Sequence, residues 1–128
     1  MTTELTMLAC SVALLIAQLV VSTIGGMTQF SLTTLVGNRE TAIEGKAWVG
    51  RAQRAYRNML EGLLPFAAVV LAAAAADISN PATVLGAQLF FWARVAYAVV
   101  YVAGIPWLRT VVWTVGLVGI LQILLQLF

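Results

Sequence analysis

Histidine is absent from this chain. That removes the side chain most often used as a general base near neutral pH and most often found as a metal ligand. Charge is scarce as well: 9% of residues are charged, against about a quarter in an ordinary soluble domain. The one cysteine, Cys10, excludes an intrachain disulfide and is expected to pack as a small apolar side chain. No glycine-rich phosphate loop, no ligand cluster for a metal and no Ser/His/Asp set stands in the sequence, so a covalent nucleophile and a metal site are not expected. No nucleic-acid partner is expected either. The chemistry left open is anion binding and electrostatic activation by arginine and hydroxyl groups.

What the chain has in abundance is apolar surface. Of its 128 residues, 62% are hydrophobic, and the mean hydropathy is +0.97. A soluble domain of this size has too much surface for its volume to hide so much. Lipid is the fitting solvent. Four apolar segments cover about 5–36, 47–76, 82–103 and 107–128, and roughly 20 residues cross a bilayer as a helix. Period-2 alternation is missing, which argues against membrane strands. Met1 to Glu4 carries no positive charge, so the first run is read as a permanent helix and not a cleaved signal. The expected fold is all-α and integral to the membrane: an up-down bundle of four transmembrane helices in one domain, 1–128.

The connections set the order of the helices. Asp77-Ile-Ser-Asn-Pro81 and Gly104-Ile-Pro106 are tight turns, with Asn80 and Gly104 as caps and Pro81 and Pro106 opening helices. Turns so short make consecutive helices antiparallel neighbours. Five of the seven basic residues lie between Arg39 and Arg57, at the end of the bundle that also receives Arg109; the opposite turn carries Asp77. The positive-inside rule then places the helix 1–2 loop in the cytoplasm and both termini outside.

Each helix also has a polar stripe, which lipid does not tolerate. On a helical wheel, Arg51, Arg54, Asn58, Glu61 and Pro65 fall within roughly 80°, with Arg57 beside them. Arg94, Tyr97 and Tyr101 fall within roughly 60°. Gln18, Ser22, Gly25 and Gln29 share a face of the first helix, and Arg109 heads a face running through Trp113 and Gly116. Arg94 lies about 15 Å along its helix from Gly104, inside the hydrocarbon, where an arginine costs about 2.5–3.5 kcal/mol on insertion scales. Glu61 is the expected counter-ion, within or between subunits. That pair either fixes helix register or also lines a ligand site. The helix 2 arginines either set topology or bind an anion, a task their planar forks suit. Tyr97 lies too deep for an interfacial belt, so its hydroxyl should find a partner. Pro65 leaves the Glu61 carbonyl without its intrahelical donor, and a bend is expected there.

These residues resemble a known family. Arg54-Ala-Tyr-Arg-Asn58-Met-Leu-Glu61, followed by Pro65 and Phe66, is similar to the helix 2 signature of the MAPEG family, the membrane-associated proteins in eicosanoid and glutathione metabolism. Arg94-Val-Ala-Tyr97 with Tyr101 resembles its helix 3, and Pro106-Trp-Leu-Arg109-Thr110 its helix 4 entry. The stretch from Gly37 to Phe66 is most like bacterial inner-membrane members. The resemblance implies a homotrimer with glutathione bound between neighbouring subunits near the cytoplasmic face. Arg54, Arg57, Asn58 and Glu61 would hold its carboxylates and amino group, with Arg51 and Arg94 on the same stripes and hydroxyl contacts from Tyr97 and Tyr101. Arg109 would stabilise the thiolate, with Thr110 nearby, and a lipophilic second substrate would enter from the membrane lipid. The implied activity is that of a glutathione transferase or peroxidase. The alternative is a non-catalytic lipid-binding or structural protein of the same fold. Tyr56 and Tyr97 stand where some eukaryotic members carry histidine, and Thr110 where some carry serine. A small multidrug exporter, a third reading, needs a carboxylate deep in helix 1, whereas Glu4 stands at its start.

Overall fold

The computed structural model describes residues 1–29 and 47–128. Four helices follow one another: α1 Thr3–Gln29, α2 Ala47–Ala75, α3 Pro81–Ala103 and α4 Pro106–Gln126. Each is long and apolar enough to cross a membrane. At 1.5 Å per residue the 27 residues of α1 and the 29 of α2 extend about 40 Å, longer than a hydrocarbon core of about 30 Å. The expected continuation of helix 1 to residue 36, the polar loop, Arg39 and Lys46 lie outside the described residues.

The turns form where the sequence placed its caps. After α2 the chain closes in a Schellman motif: the Ile78 N–H donates to the Ala73 carbonyl at 2.8 Å and the Asp77 N–H to Ala74 at 3.2 Å. Asp77 takes the left-handed conformation usually given to glycine, at φ 59°. Asn80 caps α3 through a reciprocal box: its Oδ1 accepts from the Thr83 N–H at 3.0 Å, and Thr83 Oγ1 accepts from the Asn80 N–H at 2.9 Å. At the far end of α3, Gly104 at φ 80° ends the helix, and Pro106 opens α4.

A dry core joins α2, α3 and α4. Met59, Phe66 and Val70 from α2 meet Ala87 and Phe90 from α3 and Ile123 from α4, all fully buried. Phe66 and Phe90 stack with centroids 4.0 Å apart. The α3–α4 contact is backbone against backbone: a Cβ on Gly119 would stand 2.5 Å from the Gly86 carbonyl oxygen. Lipid offers little hydrophobic drive between helices, so small residues that permit such approach supply packing instead. Helix α2 stays helical through Pro65.

The end of the bundle opposite the arginines is tied by a polar knot that the sequence did not reveal. Glu4 is 3% exposed, and its carboxylate accepts hydrogen bonds from the Thr83 hydroxyl and from Ser79 Oγ at 2.9 Å. Asn80 Nδ2 donates to Gln126 Oε1 at 3.2 Å, drawing in the end of α4. A carboxylate at the start of α1 therefore fastens that helix to the α2–α3 turn.

Candidate functional site

The functional stripes meet around two tyrosines of α3. Tyr97 and Tyr101 lie one turn apart with ring centroids 5.5 Å from each other. Arg54 of α2 donates from Nε to the Tyr101 hydroxyl at 3.1 Å. Arg109 of α4 sets its guanidinium 4.9 Å from the Tyr101 ring centroid, and Arg94 of α3 sets its own 4.4 Å from the Tyr97 ring. Three cations from three helices thus gather on one aromatic pair, each drawn by the negative face of a ring or by a phenolic oxygen. Because the Tyr101 oxygen accepts from Arg54, its own proton is free to donate.

Arg94 is 3% exposed, and its partners are neutral. Its Nη2 donates to Asn58 Oδ1 at 2.7 Å, and its Nε approaches the Met59 sulfur at 3.4 Å. The expected Glu61–Arg94 ion pair does not form within the subunit. Asn58 sits one turn before Glu61 on the same face of α2 and reaches the guanidinium first. An amide oxygen accepts that bond without the cost of desolvating a second charge. Glu61 stays exposed, yet it borders the same cavity as Arg94.

That cavity is about 300 Å³ and lies between α2, α3 and α4. Asn58, Glu61 and Arg94 line it together with Pro65, Trp113 and Leu117. It therefore presents a fixed cation, a carboxylate and an amide beside an apolar wall. Pro65 leaves the Glu61 carbonyl without its intrahelical donor, which adds an acceptor to the lining region. Gly62 and Gly116 pack beside the Arg94 side chain, where a Cβ on either would stand 3.8 Å from one of its atoms, ordinary contact.

The remaining candidates stand apart. Arg57 is exposed. Arg51 is half-buried against the α3–α4 turn, where a Cβ on Gly104 would meet its Nε at 3.8 Å. Thr110 is exposed, and its hydroxyl turns back to the Pro106 carbonyl at 3.5 Å. Tyr97 is buried, but it meets Arg94 through its ring; its hydroxyl has no hydrogen-bond partner among the described residues. Met59 was not foreseen as a site residue, since a buried methionine on an apolar face looks like core. Its position next to Asn58 was the available signal.

A family model described as the MAPEG family matches residues 6–128. Comparison with curated proteins finds no match. The match takes in all four helices and every arginine of the cluster, so the chain is an integral membrane protein that belongs to the MAPEG family.

Proposed function

We propose that this protein is a membrane glutathione transferase or peroxidase of the MAPEG type, working as a homotrimer on lipophilic electrophiles or hydroperoxides. One observation carries the reading: a buried guanidinium with neutral partners faces a cavity that a carboxylate also borders. A buried charge without a counter-ion is costly, and an anionic ligand offsets that cost. Glutathione carries two carboxylates and one ammonium, so it answers both signs of charge in the site, and its thiol supplies the nucleophile when bound.

The residues divide the work by position. Arg94, held by Asn58, receives one carboxylate of the ligand, and Glu61, which borders the same cavity, receives its ammonium. Arg54, bonded to Tyr101, and the exposed Arg57, one turn nearer Asn58 on α2, serve the second carboxylate. Arg109 stands at the entry of α4, where a cation lowers the pKa of a nearby thiol; each unit is worth about 1.4 kcal/mol in favour of thiolate. Tyr101 orients toward the same place, its oxygen fixed by Arg54 and its proton available. The apolar wall of Pro65 and Leu117 leads the second substrate in from lipid. In this orientation the arginine end faces the cytoplasm of a bacterial inner membrane, and both termini lie outside.

The apolar wall also favours a second reading, a lipid-binding protein of the same fold that catalyses nothing. A conjugation assay on the purified protein separates the two. The enzyme reading predicts thiolate absorbance on adding glutathione and its loss in Arg109→Ala. No thiolate signal in the wild type, with no turnover, favours the lipid-binding reading.

A further inference from the structure

A second cavity, of about 520 Å³, lies in the cleft that α1 leaves against α2 and α3. It is separate from the arginine site and shares no lining residue with it. The cleft exists because α1 is fastened near its two ends. Glu4 holds one end, and at the other a Cβ on Gly25 would stand 2.9 Å from the Trp48 ring. Between these points Leu14 and Val21 of α1 face Ala52, Ala55 and Ala98, whose methyl groups are too short to fill the space.

Gln18 is the one polar side chain in this lining. Its amide oxygen is fully buried and has no hydrogen-bond partner, the single such atom among the described residues. Buried polar groups are almost always satisfied, so an orphan at the edge of a cavity points to something that enters it. We propose that the cleft binds a lipophilic molecule carrying one hydroxyl group, with the hydroxyl on the Gln18 amide and the hydrocarbon along the alanines.

Three other occupants fit less well. A water needs two to four polar partners to be held, and the lining side chains offer one amide. A plain acyl chain fills the volume but leaves the oxygen unmet. A helix from another copy is about 10 Å wide and has its backbone donors already used, so its main chain leaves the oxygen unmet. A hydroxyl is small, and it both donates and accepts. The volume and the single polar anchor in an apolar lining match the usual build of small-molecule sites.

The test uses the full chain in lipid nanodiscs and a long-chain alkanol bearing a photoactivatable diazirine, with its methyl ether as control. The ether keeps the acceptor and loses the donor. The alkanol is expected to label residues 14–21 of α1 and 98–103 of α3 saturably, with the ether roughly tenfold weaker, or about 1.4 kcal/mol. Gln18→Leu, which removes the polar group at little cost in volume, should bring the alkanol down to the ether while the thermal midpoint holds. Equal labelling by both probes in the wild type overturns the proposal. So does alkanol labelling that persists in Gln18→Leu, or a cleft that stays unlabelled because another copy covers it.

Discussion

Arg94 is the residue on which the local energetics turn. Its position ten residues before Gly104 made it an intramembrane charge from the sequence alone. Its partner was not legible in the same way. Asn58 and Glu61 are three residues apart on one face of α2, about 4.5 Å in height, and a helical wheel does not resolve height. The structure gives the bond to Asn58. Replacing Asn58 with Leu should therefore leave a buried guanidinium without its acceptor and lower stability by about 1.5–3 kcal/mol, the worth of a hydrogen bond to a charged group. Denaturant titration in micelles reads this directly; Glu61→Gln in the same assay should change stability by much less. Asp77 makes the opposite prediction. It holds a left-handed conformation at φ 59°, so Asp77→Gly should raise stability by about 1 kcal/mol, measured the same way. Glu4 stood at the start of its helix in the sequence, but its tertiary role was not legible there. Its two hydroxyl partners lie 75 and 79 residues away, a distance no local pattern spans.

At the scale of elements, the four helices and their two tight turns were readable because their signals are local. Asn80, Pro81, Gly104 and Pro106 act on their own backbone. How the helices approach one another was readable in half. Gly116 and Gly119 are visible in the sequence as small residues three apart on α4, whereas Gly86, the partner that makes one of them matter, lies on another helix. The two glycines should behave differently. A methyl on Gly119 would meet the Gly86 carbonyl oxygen at 2.5 Å, while one on Gly116 would meet Ala93 Cβ at 3.6 Å, ordinary contact. Gly119→Ala should cost about 1–3 kcal/mol by forcing α3 and α4 apart. Gly116→Ala should be nearly neutral, and thermal melts of the pair compare them. Helix α1 has most of its apolar side chains uncovered and hangs on Glu4 at its start. Glu4→Ala should reduce amide-exchange protection over residues 5–12 while leaving α3 and α4 protected.

For the whole molecule, the two ends of the bundle have different chemistry. One end is closed by the knot of Glu4, Ser79, Thr83, Asn80 and Gln126, and the other gathers Arg54, Arg109 and the tyrosines. The apolar faces of α1 and α4 are exposed in a single chain, which suits burial against lipid or neighbouring copies. The proposed homotrimer predicts a sedimenting protein mass of three 13.7 kDa chains in detergent; a mass of one chain would contradict it. The central claim concerns the fixed cation in the cavity, and calorimetric titration of the purified protein with glutathione tests it most directly. Saturable binding in the wild type, weakened at least tenfold in Arg94→Met with the helices intact, is the predicted result. No binding, or equal binding by the two proteins, would contradict it.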